Sequence, residues 1–246
     1  ILLGWLIVSD AFPPFKNHIP QILIFSGVIL AIGGLMQLLF LPDLRFLTSA
    51  GWDPHYFRTV STFLDPNFAG AYFVLTLILL LQNKACTKKW NILLFTIVYL
   101  ALLTTFSRGA YLAFLTSFTV VSILHKSIRF IVITILLFTG LMLGFTAYQK
   151  LVAQPRGIDR EQSAEIRFNT WQQGWILFKS HPVLGVGFNV YRFAIKEYDL
   201  GDEQFLRSHG ASTNDSSLLY VAATTGVIGF IGFLLFLFSL ATEGYN

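Results

Sequence analysis

The sequence predicts an all-α polytopic membrane protein, and three observations carry that reading. Residues of the set AVILMFWYC make up 54% of the chain and charged residues only 12%, against roughly 25% charged in an ordinary soluble domain. The apolar residues gather in about six complete runs, most of them near the 20 residues that cross a bilayer core, with a partial run before them. The short basic connections fall in every second loop, as they do when positive residues stay on the cytoplasmic side. Three regions follow: transmembrane helices with short loops over 1–148, an external loop subdomain over 149–215, and a C-terminal transmembrane helix over 216–246.

Ile1 to Val8 reads as the tail of a span, and Ser9 to His18 as a polar connection carrying Lys16. The opening at Ile1 and the end shortly after a span suggest a piece of a longer polypeptide. The first complete span runs from about Pro20 to Leu41 and is stopped by Pro42 and Asp43. A mixed loop follows to Asn67. Asp65-Pro66-Asn67 is a turn that caps and starts the helix of Phe68 to Leu81. Gln82 to Lys89 is a short loop holding the single cysteine, Cys86, too isolated for a disulfide framework or a zinc pattern. A span from Lys89 to Thr105 is interrupted by Ser107-Arg108-Gly109, and Ala110 to Leu124 returns. After His125 to Arg129, Phe130 to Tyr148 crosses again, with Gly140 and Gly144 spaced for close approach of a neighbouring helix. Leu218 to Leu240, with Gly226, Gly229 and Gly232, forms the last span.

Lys16, then Lys84, Lys88 and Lys89, then Lys126 and Arg129 mark the inner connections. That alternation places the 42–67 loop, the Ser107-Arg108 turn and the long polar loop outside. Inside the long loop, Asp159 with Gln162 resembles a capping box. Phe168, Trp171, Trp175 and Phe178 then recur at helical spacing, giving an amphipathic helix whose apolar face can lie on the membrane or pack on the spans. Pro182 ends that helix, and Gly185-Val186-Gly187 makes a tight turn.

The net charge of +4 does not point to nucleic acid, because the basic residues are scattered rather than gathered in a stripe. No metal site is expected: Asp199, Asp202 and Glu203 surround Gly201 without calcium-loop spacing. Arg108, at the mouth of a helical hairpin, either snorkels to headgroups or offers its donor fork to an anionic ligand such as a phosphate. Arg58 and Arg167 add two more guanidiniums on the outer side, and the three together suit a pyrophosphate. Asp65 and Asn67 have helix capping as their simpler role. Asp215, where the long loop re-enters the membrane in STNDSS, is either an N-cap or a base for an attacking hydroxyl. His209 is the alternative base, and Ser216 stands beside Asp215.

The order RTVSTFLDPNFAGAYF, TFSRGAYLAF, EIRFNTWQQGWILFKSHPVLGVGFNVY and NDSSLLYVAATTGVIGFIG resembles the bacterial O-antigen ligase and O-antigen polymerase family of membrane glycan transferases, from about Arg58 onward. The resemblance implies a GT-C-like helical enzyme at the outer face of the bacterial inner membrane. Its donor would be an undecaprenyl-pyrophosphate-linked glycan and its acceptor another glycan or lipid A core. It implies that Arg108 and Arg167 hold the pyrophosphate leaving group and that no metal or other cofactor is needed. Ligases of this family carry a histidine at a fixed distance before the Gly-x-x-Gly element. Asp215 stands at that position here, followed by Ser216, which favours a polymerase or related exopolysaccharide enzyme. A transporter or flippase of the same lipid-linked sugars is the competing class. Such a carrier calls for ionisable residues near mid-span, whereas these spans are almost free of charge.

Overall fold

The computed structural model describes residues 13–82, 87–156, 161–207 and 209–243. Among them every extended element is a helix, and the one β-type pairing is an isolated antiparallel bridge between Asp43 and Tyr56. In order the helices are α1 (Pro13–Phe40), α2 (Pro66–Gln82), α3 (Lys88–Thr105), α4 (Arg108–Leu124), α5 (Ile128–Tyr148), α6 (Glu161–Ser180), α7 (Tyr191–Glu197), α8 (Glu203–Arg207) and α9 (Ser217–Glu243).

By length and composition, His18–Phe40, Ile128–Arg156 and Gly210–Leu240 can cross a membrane. Pro66–Gln82 and Arg108–Leu124 are apolar but shorter, and α3 opens on two lysines that dilute its apolar run. The helical membrane architecture is therefore present, with three candidate spans rather than six established ones. Large apolar side chains stand exposed along these helices, among them Phe25, Leu39, Leu136 and Phe238. An aqueous protein rarely carries apolar surface on that scale.

The chain divides into two compact units: residues up to Phe46 with Asp53–Gly157, and Leu47–Trp52 with the chain from Ile158 onward. In the first, α1 to α5 pack around Phe73, Leu77, Val98, Leu102, Tyr111, Phe114 and Leu141, all buried. The small residues expected to admit a neighbour do so. A Cβ on Gly144 would stand 2.6 Å from Leu103, and one on Gly140 2.9 Å from the Tyr99 hydroxyl, which donates to the Leu137 carbonyl at 2.8 Å. Helix α1 begins at Pro13, so part of the expected polar connection is helical. Past Tyr148 the backbone stays helical through a π turn, Gln149–Ala153, to Arg156.

In the second unit, α6 packs beside α9 over a core of Leu177, Tyr191, Ala194, Ile195 and Ala223. Thr170 and Leu177 are buried on the inner side of α6. Phe168, Trp171 and Trp175 stay exposed on the other, and Phe178 is partly buried against the core. Helix α9 breaks at Gly226, whose φ of 66° and ψ of −169° lie in a region essentially reserved for glycine. The Pro182–Gly187 loop fills the break: the Val186 and Gly187 amides donate to the Ala223 and Thr224 carbonyls at 2.9 Å, and the Val227 amide to the Pro182 carbonyl at 2.8 Å. This contact needs two glycines, since a Cβ on Gly185 would meet the Thr224 carbonyl carbon at 2.3 Å and one on Gly226 the Val183 oxygen at 2.2 Å. The Ile1–Val8 span tail, Cys86 and the Asp159 part of the capping box lie outside the described residues.

Candidate functional site

In the first unit, the polar residues singled out from sequence meet where α3 turns into α4. Asp65 is the cap expected of it: its carboxylate accepts from the Asn67 and Phe68 amides at 2.6 and 3.0 Å, with Pro66 at the first helical position. Asn67 then reaches across the turn, its side-chain carbonyl accepting from the Ser107 hydroxyl at 2.6 Å. Ser107 caps α4, its oxygen accepting from the Ala110 amide at 3.3 Å. Arg58, half-buried, donates from Nε to the Thr105 carbonyl at 2.9 Å and from Nη2 to the Phe106 carbonyl at 3.4 Å. It satisfies carbonyls orphaned at the end of α3, where Phe106 adopts a left-handed conformation.

These contacts fix Arg108 as the first residue of α4, exposed and without an ion pair among the described residues. A cation at a helix N-terminus faces the positive end of the dipole, a placement that disfavours it by about 0.3–1 kcal/mol unless an anion shares the position. Arg58, Asn67 and Arg108 are thus brought together, with Arg58 and Asn67 bracing the turn that presents Arg108. The loop before it is held as well. Tyr148 donates to the Tyr56 carbonyl at 2.8 Å and stacks on Phe106 at 4.1 Å. Asp43 and Arg45 form a forked pair at 2.7 and 2.9 Å, and that guanidinium holds the Asp43 carboxyl down at about 2.

In the second unit, Asp215 meets α6 at Thr170, one turn after Arg167. The buried Thr170 hydroxyl lies 3.1 Å from Asp215 Oδ2 and 2.9 Å from the Arg167 carbonyl, its one proton shared between them. Asp215 itself is exposed, and so is Arg167. Of the two roles open to Asp215, capping belongs instead to Ser216, whose hydroxyl accepts from the Leu219 amide at 3.3 Å. Among the described contacts the Asp215 carboxylate meets the Thr170 hydroxyl and makes no capping bond.

Asn214 holds this arrangement from beneath. Its amide donates to the Thr170 carbonyl and, at 2.8 Å, to the Tyr191 hydroxyl, while its carbonyl accepts from the Ser216 amide at 2.9 Å. Gly174 makes room, since a Cβ there would lie 2.7 Å from the Asn214 amide nitrogen. Burial pushes the Tyr191 hydroxyl above its ordinary value, partly offset by the Asn214 hydrogen bond, so it stays a neutral partner. Thr170, Asn214 and Tyr191 had not been singled out from sequence. The side chain of His209, in the short Gly-containing turn before Ser212, lies outside what the structure describes. Among the described residues no group of His, Cys, Asp and Glu is placed to hold a metal.

Searches of curated proteins and of solved structures return no significant match. The profile of the O-antigen ligase family matches residues 92–234, more than half of the chain. That stretch carries α4 with Arg108, α6 with Arg167, the broken α9, and the Thr170–Asn214 net beneath Asp215. The chain belongs to the O-antigen ligase family.

Proposed function

We propose that this protein is a membrane glycosyltransferase that elongates glycans carried on undecaprenyl pyrophosphate at the outer face of the bacterial inner membrane, a polymerase rather than a ligase. The family supplies the class of reaction. The observation that favours Asp215 is its carboxylate, left out of capping by Ser216 and anchored by the buried Thr170 hydroxyl one turn after Arg167 on α6. The acceptor hydroxyl loses its proton to Asp215 as its oxygen attacks the anomeric carbon with inversion. The bond from that carbon to the diphosphate oxygen breaks, and the lipid diphosphate leaves with the electron pair.

In this reading Arg108 and Arg167 neutralise the departing diphosphate, where the forked guanidinium geometry suits paired phosphate oxygens. Arg58 and Asn67 hold the Arg108 turn, and Arg58, Asn67, Ser216 and His209 are assigned to binding the substrate. In the same reading six crossings, with α2, α3 and α4 among them, face the Arg108 turn outward, and the α6–α8 segment enters and leaves from the outer side. No metal takes part. The test is transfer from a purified lipid-linked donor in the presence of a chelator. Asp215→Asn should abolish chain growth in protein that still inserts normally, and undiminished growth in both Asp215→Asn and Asp215→His refutes the assignment. Polymer on a lipid-linked acceptor supports the polymerase; product on lipid A core alone supports a ligase.

A further inference from the structure

We infer that the Pro182–Phe188 loop is a re-entrant segment, lying in bilayer hydrocarbon beside the broken helix α9. The inference rests on α9 being a membrane span, as the functional reading requires.

Helix α6 descends alongside α9 rather than away from it. Thr170 meets Asp215, and the Pro182 carbonyl meets the Val227 amide, at the same offset of 45 residues. Over that interval the two segments rise together in parallel. The sequence carries no charge between Asp215 and Glu243. Counting about 20 residues back from Leu240 puts the hydrocarbon boundary near Val221. At 1.5 Å per residue, Gly226 then lies about 8 Å inside it, and the loop bonded there lies at the same depth.

The loop is built for that depth. Its most exposed residues are apolar: Val183 at 55%, Leu184 at 73% and Phe188 at 84%. Unbonded backbone is the main obstacle to irregular structure in hydrocarbon. Here three of the loop's six amides are met: that of Gly185 donates to the His181 carbonyl at 3.0 Å, and those of Val186 and Gly187 donate to the carbonyls freed by the α9 break. At the loop entry, His181 Nδ1 pairs with the Ser180 hydroxyl at 3.1 Å. Lys179, the last charge before the loop, folds back with its ammonium 5.2 Å from the Trp175 ring centre, one turn toward Asp215. That is the direction a snorkelling lysine takes from hydrocarbon to interface, and exposed Trp171 and Trp175 mark the interface level.

The occupant of this surface is therefore the acyl region of the bilayer. The full chain, carrying Cys86→Ser and one of Leu184→Cys, Phe188→Cys, Asp202→Cys or Leu235→Cys, is labelled with a nitroxide. It is then placed in phosphatidylethanolamine/phosphatidylglycerol vesicles, and collisions with oxygen and with a neutral nickel chelate are measured. The logarithm of the oxygen-to-nickel ratio should change sign between Asp202 and the loop positions, with Leu184 and Phe188 on the side of Leu235. Nickel access at both loop positions equal to that at Asp202 overturns the inference while Leu235 keeps α9 in the membrane. Loop labels immobilised and shielded from both reagents overturn it too, since protein would then cover the loop. An aqueous signal at Leu235 removes the span itself, and with it the membrane reading.

Discussion

At residue scale, Asp215 and its support give the sharpest expectations. Replacing Thr170 with Val removes the hydroxyl at 3.1 Å from the carboxylate while keeping the shape. It should cost about 0.5–1.5 kcal/mol of stability and lower the turnover of lipid-linked donor, read as kcat against KM. Asn214→Ala goes further, because it strips a buried amide from the Thr170 carbonyl, the Tyr191 hydroxyl and the Ser216 amide. A loss of roughly 1–3 kcal/mol for each group left unpaired should appear as a lower melting temperature in detergent. Asp43 offers a test by pH. Its carboxyl is held at about 2 against an ordinary 3.8, chiefly by the Arg45 hydrogen bond. The stability this pair adds is present above 3.8 and lost as the pH falls toward about 2. An infrared carboxylate titration of the wild type against Asp43→Asn should find the extra band in that window. Arg108 stands out in the sequence because charge is rare among the apolar runs, whereas Arg167 and Asp215 stand out through the family resemblance. Thr170 and Asn214 do not, since neutral polar residues in a polar loop look alike until folding buries them. Nor could composition divide capping between Asp215 and Ser216, two adjacent residues that both suit it.

The elements that matter most are α6 and α9, and glycine governs how they meet. Gly226→Ala places a Cβ at 2.2 Å from the Val183 oxygen and forces alanine to φ 66°. Backbone strain of about 1–3 kcal/mol and displacement of the Pro182–Gly187 loop should both follow. A fall in melting temperature and faster proteolysis between α6 and α7 would report them. Gly232→Ala is the matched control, because nothing lies within 4 Å of a Cβ there; it should melt like the wild type. The helices themselves were legible from their apolar runs, and the turn at Gly185 from its glycines. The pairing of that turn with the Gly226 break was not. It depends on backbone groups far apart in the chain, and hydrophobic periodicity says nothing about which carbonyls a distant loop will satisfy. Spacing alone groups Phe168, Trp171, Trp175 and Phe178 as one stripe on α6; packing divides it, with the first three outside and Phe178 against the core.

For the whole molecule, the membrane class was evident from composition, but the number of crossings was not. Helices such as α2 and α4 fall just short of a full crossing in length, and marginal spans depend on neighbours for their place in the bilayer. The alternation of basic loops gives a testable orientation. In intact spheroplasts of a Cys86→Ser background, an impermeant maleimide should label Thr62→Cys and Asp202→Cys, and should label Lys126→Cys only after permeabilisation. The reverse pattern would put Arg108 on the wrong face for an external donor. The proposed transfer depends on cationic side chains bearing the charge that develops on the diphosphate. The most direct measurement is kcat/KM for transfer from a purified undecaprenyl-pyrophosphate glycan by Arg108→Ala, Arg167→Ala and their lysine counterparts, in protein that inserts and melts normally. Each alanine variant should lose roughly 100-fold or more, as when a transition-state donor is removed, with lysine restoring only part of it. Alanine variants that turn over the donor as fast as the wild type would contradict the account.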